Sequence, residues 1–342
     1  MGMNLDEIAR LSGVSRTTVS RVLNNKSEVK EATRQRVLEI IRQSNFKPHA
    51  AARSLAGGRT RVLGVVILVG VSELFSWPYF SLLIQGITAA CRALDYSVML
   101  WLAEPGHERR TLAQILRSGL IDGLVISSML VDNPIVPALE ENNTPFLLSG
   151  RHPTNPRANY VDVENLNGAR KATAHLLRLG RRRVATINGP LNIIAGADRH
   201  EGYLVALRDR GLPVDSNLIR ESNFTEAGGY HAMQQLLPYA PDAVFAGNDL
   251  MALGALQALR EAGRRVPEDL ALVGFDDVPF AASTVPALTT VRQPIQQAGQ
   301  LSAEMLIDLI ENPQLAPQQL VLPTELVIRA SCGFELQNAL PA

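Results

Sequence analysis

The polar residues in GVSRTTVSRVLN, between positions 13 and 24, are of the types that contact DNA bases and phosphates. With helical spacing, the aliphatic side chains of this segment fall on one side and the polar side chains on the other. Arginine can donate two hydrogen bonds to guanine, and threonine can contact a base edge or a thymine methyl group. Serine and asparagine suit phosphate oxygens. We therefore predict a DNA-contacting helix face made of Arg16, Thr17, Ser20, Arg21 and Asn24, with a further DNA contact at Asn4.

A first helix and a tight turn would position this face. Asn4 and Glu7 are three residues apart, which is the spacing of a capping box at the start of a helix. Ala9, Gly13 and Val19 supply a small residue where two helices touch, a glycine free to adopt a positive φ in the turn, and an apolar anchor. The spacing predicts a helix-turn-helix.

A third helix over roughly 31–43 would close the small core, with Val37, Leu38, Ile40 and Ile41 as its apolar residues. The polar face of the second helix is then left pointing outward. The alternative interpretation is an ordinary solvated helix face.

Charge is distributed unevenly along the chain, although the formal net charge is zero. Residues 1–60 hold 11 Lys and Arg against 5 Asp and Glu, a net charge of +6; the remaining residues hold 22 against 28, a net charge of −6. A basic segment attached to an acidic body is typical of a nucleic-acid-binding arm.

Length and composition exclude several protein classes. A chain of 342 residues is too long for one ordinary core, so two or three domains are expected. Cys91 and Cys332 lie in apolar surroundings and are expected to be core thiols. The longest apolar stretch, at 62–71, is too short to span a bilayer, and no signal peptide precedes it, so we expect a cytoplasmic protein without a membrane partner.

The usual motifs of enzymes and metal sites are missing from the sequence. It contains no GxGxxG, P-loop, GxSxG or HExxH pattern, and its histidines, such as His175, lack metal-ligand spacing. We therefore expect no catalytic residues, no metal and no cofactor.

From residue 62 onward, short apolar runs alternate with amphipathic helical patterns, which predicts βαβ units and a doubly wound parallel sheet. The series is too long for one compact sheet, and the loop at 151–159 interrupts it. We therefore expect two α/β lobes that divide near residue 160, with a ligand in the crevice beyond the strand C-termini. A single α/β domain is the alternative. The apolar runs begin at positions 62, 97, 123, 146, 183, 242 and 269.

Several segments together resemble the lactose-repressor (LacI/GalR) family of transcription regulators. They include VSRTTVSRVLNN, EATRQRVLEII, FKPHAAARSLAGGRT, WPYFSLLIQGI, HLLRLGRRRVATINGP, FAGNDLMALGALQAL and LVGFDDVPF. The resemblance covers nearly the whole chain. It implies an all-α helix-turn-helix headpiece and an α/β effector-binding body of two doubly wound parallel-sheet lobes, similar to periplasmic binding proteins.

The resemblance also implies a division into domains. Residues 1–46 would be the headpiece, 47–60 a hinge helix and linker, 61–160 with about 292–320 the N-terminal lobe, 161–291 with about 321–334 the C-terminal lobe, and 335–342 a tail.

Ala50 to Leu55 match the family's hinge helix, which folds when two subunits are bound to DNA. Ala52 and Leu55 are then implied DNA contacts, with Leu55 in the place of the leucine that inserts into the minor groove. A helix this short is unstable alone, so its folding can be coupled to DNA binding. The alternative is a flexible linker that ends at Gly57 and Gly58.

The resemblance implies a polar effector site in the cleft. Arg199, Asn248 and Asp276 match family positions that contact the ligand, and Arg151 follows the fourth strand of the first lobe. The family commonly has aspartate before that arginine, whereas Gly150 stands here. From the residues alone, Asn248 would be a helix cap and Asp276 a turn residue.

Aromatic residues would complete the site. Tyr79 and Phe80 match paired aromatics of the family, Trp77 stands where many members have asparagine, and Phe224 matches an aromatic that packs on the effector. Aromatic faces with a few polar groups suit the CH face and hydroxyls of a sugar. For Tyr79, a core position is the alternative.

These features together predict a homodimeric repressor that a sugar or glycoside releases from a pseudo-palindromic double-stranded operator. The absence of a C-terminal heptad repeat favours a dimer over a tetramer. The first alternative is a repressor of the same family activated by a purine or sugar-phosphate corepressor. The second is a solute-binding protein without a regulatory role.

Overall fold

The protein is described by a computed structural model. The description covers residues 4–23, 28–44, 59–104, 106–127, 130 and 135–334. The predicted DNA contacts at Asn24, Ala52 and Leu55, like the tail at 335–342, lie outside these ranges.

The N-terminal helices are α1 (Leu5–Ser12), α2 (Arg16–Leu23) and α3 (Glu31–Gln43). They enclose a small apolar core with Ile8, Val19 and Val37 fully buried at its centre. The turn between α1 and α2 uses Gly13 at φ 66° and ψ 33°, which is the left-handed region that glycine adopts without a Cβ clash. The predicted helix-turn-helix is confirmed, with the third helix closing its core.

The ends of these helices are capped by polar groups. The Asn4 side chain accepts a hydrogen bond from the Glu7 N–H at 2.9 Å, and the Glu7 carboxylate accepts one from the Asn4 N–H at 2.9 Å. This is the capping box that the sequence predicted. The Ser15 hydroxyl accepts from the Thr18 N–H at 3.1 Å at the start of α2. Lys30 precedes α3 without a side-chain cap.

Within the described residues, the larger part of the chain forms two six-stranded sheets. The first has the order β11-β5-β4-β3-β1-β2, in which β11 with β5, β5 with β4, β4 with β3 and β3 with β1 are paired in parallel. Its strands are β1 (Val62–Ile67), β2 (Ser97–Leu102), β3 (Gly123–Ser127), β4 (Phe146–Ser149), β5 (Tyr160–Val163) and β11 (Gln319–Leu322).

The second sheet has the equivalent order β12-β10-β9-β8-β6-β7, in which only the pairing of β10 with β12 is antiparallel. Its strands are β6 (Val184–Asn188), β7 (Ile219–Glu221), β8 (Ala243–Ala246), β9 (Ala271–Asp276), β10 (Thr289–Arg292) and β12 (Glu325–Val327). We call the structures built on these sheets the first lobe and the second lobe.

Helices cover the sheets, as the alternating pattern predicts. These helices are α4 (Val71–Ser76), α5 (Pro78–Ala93), α6 (Glu108–Ser118), α7 (Ile135–Glu141), α8 (Asn165–Arg178), α9 (Ile194–Arg208), α10 (Glu226–Leu236), α11 (Asp249–Glu261) and α12 (Ile295–Glu311). In the first lobe α12 packs on α5; in the second lobe α8 packs on α9, and α10 packs on α11. None of the helices in the described ranges combines the length and apolarity that crossing a membrane requires.

The chain crosses between the lobes after Val163, after Arg292 and after Leu322. The division predicted near residue 160 therefore falls at the start of β5, a strand that pairs with β4 and β11 in the first sheet. β5 escaped prediction because it is only four residues long, follows a Pro- and Asn-rich loop, and carries a buried aspartate.

Candidate functional site

A cavity of about 120 Å³ lies between the lobes, beyond the C-terminal ends of several parallel strands. Open α/β sheets bind ligands at this edge, because the loops that leave neighbouring parallel strands converge there. The polar residues of its wall come from both lobes: Ser149, Asp162, Asn165, Arg199, Asn248, Asp276 and Gln293.

Arg199, on α9, is the most extensively bonded side chain of this wall. Its Nε donates to Asn165 Oδ1 at 2.9 Å, and its Nη1 donates to the Gly247 carbonyl oxygen at 2.6 Å. Its guanidinium carbon lies 3.7 Å from the centre of the Phe275 ring, a cation–π geometry. These contacts fix the arginine rigidly in a buried position.

Asp276, at the end of β9, accepts from Arg199 Nη1 at 3.3 Å and from Gln293 Nε2 at 2.5 Å through the same oxygen, Oδ1. Its backbone has φ 111°, a conformation that non-glycine residues rarely adopt. Burial raises the pKa of Asp276 to about 6, against the opposing influence of the Arg199 charge. The predicted turn residue is thus also a strained, buried carboxyl at the cavity.

The carboxyl of Asp249 is fully buried and holds the neighbouring loop in place. Its Oδ2 accepts from the Val278 N–H at 3.0 Å, and its Oδ1 accepts from the Thr290 hydroxyl at 2.5 Å. Burial, and then the neighbouring charge of Asp276, raise the pKa of Asp249. The carboxyl therefore ties the loop after β9 to β10.

Asp162, on β5, contributes a second carboxylate that sequence reasoning missed. Its Oδ1 accepts from the Val163 N–H at 2.8 Å and from Asn165 Nδ2 at 3.1 Å. Burial raises the pKa of Asp162, whereas the backbone donor of Val163 and the charge of Arg151 oppose that rise. An aspartate inside a short apolar run, just before a crossing, was the available signal.

Aromatic rings line the apolar part of the cavity. Trp77 stacks on Phe80 with ring centres 5.6 Å apart and planes 12° apart, and it meets the edge of Phe224 at 6.3 Å. Phe224 belongs to the second lobe and has φ 61°. Tyr79 hydrogen-bonds to Ser149, and burial raises the pKa of its phenol. The four predicted aromatic residues are thus gathered at one cavity.

Asn248 lies in the cavity wall, but both ends of its amide are used within the protein. Its Oδ1 accepts from the Met251 N–H at 2.8 Å, and its Nδ2 donates to the Phe224 carbonyl oxygen at 3.0 Å. It is therefore the cap of α11, which was the structural interpretation of this residue. Its second contact also fixes the strained backbone of Phe224.

Arg151 follows β4, and its guanidinium is directed to the other lobe. Nη2 donates to Asp198 Oδ1 at 2.6 Å, and Nη1 contacts Asp198 Oδ2. The hydrogen bond to Asp198 is the largest cause of the raised pKa of Arg151. The structure therefore pairs this predicted effector contact with a carboxylate of the protein.

The helix face predicted to contact DNA is accessible on the headpiece. Arg16, Thr17 and Arg21 are exposed, and Ser20 is half-buried. Arg16 Nη1 lies 3.5 Å from Asp6 Oδ2, and Arg21 Nε lies 3.6 Å from an oxygen of Glu28. Exposed pairs of this kind contribute little stability, so these arginines can exchange a carboxylate for phosphate or base contacts.

Comparison with known proteins identifies the family. Residues 4–49 match the bacterial regulatory proteins of the lacI family, and residues 173–332 match a periplasmic binding protein-like domain. The chain is 38% identical over 331 residues to the HTH-type transcriptional regulator CelR of Thermobifida fusca, covering 96% of this chain and 97% of CelR. The chain belongs to the LacI family.

Further relatives in the LacI family agree in length and fold. The ribose operon repressor of Escherichia coli (strain K12) is 34% identical over 332 residues, covering 96% of this chain and 99% of the repressor. A CelR–cellobiose complex matches with a TM-score of 0.77 at 36% identity, covering 96% and 99% of the two chains. A Lac repressor dimer bound to operator and the anti-inducer ONPF matches with a TM-score of 0.82 at 28% identity, covering 97% and 99%.

These matches show that this LacI-family chain is a DNA-binding transcriptional regulator with a helix-turn-helix domain and a two-lobed body.

Proposed function

We propose that this LacI-family regulator is a homodimeric repressor, and that an uncharged sugar or glycoside bound between the lobes releases it from a pseudo-palindromic operator. The cavity carries this proposal. It combines stacked aromatic rings with buried carboxylate, amide and guanidinium groups drawn from both lobes. A ligand that touches both walls changes the free energy of lobe closure, because it adds contacts that exist only in one arrangement.

The charges at the cleft favour an uncharged ligand. Arg199 is bound to Asp276, and Arg151 is bound to Asp198, so each guanidinium already has a carboxylate partner. Asp162 adds a further buried carboxylate. A phosphate or carboxylate ligand would have to displace one of these partners, and it would meet the remaining negative charge. Hydroxyl groups, in contrast, can donate to the carboxylates without such a cost.

The relatives support both halves of the proposal. The CelR complex contains cellobiose, and the Lac repressor dimer is bound to operator DNA. Two-fold symmetry of a dimer requires two equivalent half-sites, each contacted by one copy of the headpiece. On the headpiece we assign base contacts to Arg16, Thr17 and Arg21 and a phosphate contact to Ser20. We also assign a phosphate contact to the side-chain amide of Asn4.

A thermal-shift screen of the purified chain tests the ligand class. The panel contains cellobiose, ribose, phosphorylated sugars and nucleobases, since a ligand that binds only the folded state raises the apparent melting temperature. We expect neutral sugars to raise it. The proposed class is wrong if only purines or sugar phosphates do so.

The direction of regulation is tested by operator binding with and without the sugar that gives the largest shift. We expect the sugar to weaken a band shift on a pseudo-palindromic operator. A sugar that tightens the complex would instead make the protein a corepressor-activated repressor.

A further inference from the structure

A bidentate ion pair joins the two lobes at the edge of the cavity. Arg151 belongs to the first lobe and Asp198, on α9, to the second, 47 positions later in the chain. The Asp198 side chain is 12% exposed and that of Arg151 is 37% exposed. Two parallel charge-assisted bonds constrain both the distance and the orientation of the partners. This contact can therefore form only over a narrow range of lobe positions.

The same guanidinium also lies beside a carboxylate of its own lobe. Arg151 Nη1 is 3.5 Å from Asp162 Oδ2. The two residues are held together by the first sheet, where the Gly150 N–H donates to the Val161 carbonyl oxygen at 2.8 Å. Movement of the second lobe therefore changes the separation of Arg151 from Asp198 but not its separation from Asp162.

Other contacts across the cleft accompany the ion pair. Leu130 and Ile193 form an isolated antiparallel bridge between the lobes. The edge contact of Trp77 with Phe224 also joins residues of opposite lobes. The environment of Trp77 therefore reports on the same lobe arrangement in which Arg151 meets Asp198.

We propose that Arg151 is a two-position latch, bound to Asp198 when the lobes are closed and to Asp162 when they separate. The guanidinium has five N–H donors in a fixed fork, so the exchange requires only side-chain rotation. Because a carboxylate is available in both positions, opening the cleft leaves the Arg151 guanidinium paired, whereas an unpaired guanidinium would oppose the motion.

The latch also connects lobe closure with ligand occupancy, and this part rests on the proposed function. Asp162 lines the cavity. A ligand hydroxyl that donates to Asp162 competes with Arg151 for that carboxylate and leaves the arginine to Asp198. Occupancy then favours the closed position.

The latch itself is tested in the ligand-free chain, so its outcome does not depend on the identity of the effector. The chain has two tryptophans, and Trp101→Phe leaves Trp77 as the single tryptophan. In this background, acrylamide quenching measures the exposure of Trp77. Asp198→Asn is compared with Asp209→Asn, which alters an arginine–aspartate pair, Arg170 with Asp209, confined to the second lobe.

We expect Asp198→Asn to increase quenching of Trp77 and Asp209→Asn to leave it unchanged. The ratio of closed to open molecules should decrease by a factor of between about three and about ten. This is the range for a charge-assisted pair that solvent partly screens. Circular dichroism and thermal melting verify that both variants are folded. Equal quenching in Asp198→Asn and the unsubstituted background, or an equal increase in both variants, would overturn the latch.

If Arg151 exchanges between two carboxylates, removing the Asp162 carboxylate should not open the cleft as removing that of Asp198 does. Asp162→Asn removes the open-state partner of Arg151, so quenching of Trp77 should stay at or below that of the background. If Asp162→Asn instead increases quenching as Asp198→Asn does, Asp162 is not the second position.

Discussion

The Nη1 of Arg199 lies 3.3 Å from Oδ1 of Asp276, and both side chains are almost completely buried. The pair connects α9 to the end of β9 in the wall of the cavity. A buried ion pair adds little net stability compared with an apolar pair, but removal of one partner leaves a charge without compensation. The pair is therefore better suited to fixing polar groups in the wall than to stabilising the lobe.

The strength of this coupling is measurable by a double-mutant cycle. We expect Arg199→Ala to lower the free energy of unfolding by about 3–5 kcal/mol, because Asp276 stays buried without its cation. Adding Asp276→Ala should recover part of that loss. Urea unfolding of the two single variants and the double variant gives the coupling energy. Simple additivity would show that the two side chains do not interact energetically.

The free energy of unfolding should depend on pH in a way that reflects the raised pKa of Asp276. Its folded-state pKa, about 6, exceeds the unfolded value of 3.8, so the folded chain binds this proton more tightly. The associated stabilisation is complete below the unfolded pKa and is lost as the pH rises through the folded pKa. Relative to Asp276→Asn, the unsubstituted chain should therefore lose stability between about pH 4 and about pH 6 and then level off.

Urea unfolding across this pH range checks that difference. Asp249 remains in both proteins, but the charge of Asp276 contributes to its raised pKa, so the difference measures the ionisation of Asp276 together with its effect on Asp249. Both contributions lower the stability of the unsubstituted chain as the pH rises. A difference that shifts in favour of the unsubstituted chain as the pH rises would contradict the burial of an acid with a raised pKa.

Substitution of Asp276 should impair the response to the effector but leave operator binding intact. Asp276→Ala removes an acceptor from the cavity wall but leaves the headpiece unchanged. We expect the variant to bind operator in a band shift and to lose the response to the sugar that shifts the melting temperature of the unsubstituted chain. Asp308→Ala, at an exposed position on α12, is the matched control. Undiminished effector affinity in Asp276→Ala would contradict the assignment of the cleft.

The sequence was sufficient to predict elements that have a continuous apolar run or clear capping residues. β1 and β3 are continuous apolar runs, and the capping residues Asn4 and Glu7 marked the start of α1. β7 was not predicted because it has only three residues, Ile219–Glu221, without any alternation of polarity. β5 was missed for a similar reason. Short strands are formed by pairing with neighbours in the sheet, and pairing is not visible in a local pattern.

The candidate site was predictable where a single residue matched the family pattern, and not where partners meet through the fold. The family resemblance implied Arg199 and Asp276 one at a time, but Asp162 and Gln293 join them only because β5 and β10 end beside the cleft. The partner of Arg151 is also a consequence of topology, because Asp198 lies on the other lobe. Sequence spacing supplies candidates, whereas the strand order determines which of them meet.

Trp77 provides a separate test of ligand contact. Its ring stacks on Phe80 and faces the cavity, so a sugar bound there would contact an aromatic face. We expect Trp77→Ala to weaken sugar binding by about tenfold, which is the scale of a buried aromatic contact. Isothermal titration calorimetry measures the change, and Trp101→Phe, on β2, serves as the control. Equal affinities for the two variants would place the ligand away from the Trp77 ring.

The headpiece assignment is tested by comparing arginines on two of its helices. Arg16 is exposed on α2, the helix whose polar face is free of the core, whereas Arg36 is exposed on α3, which closes the core. We expect Arg16→Ala to weaken operator binding by about 1–3 kcal/mol and to relax specificity at one base pair. Arg36→Ala should have a smaller effect, without a change in sequence preference. Leu55→Ala, at the position implied for minor-groove insertion, should weaken binding as well. If neither Arg16→Ala nor Leu55→Ala changes the band shift, DNA is bound by another surface of the protein.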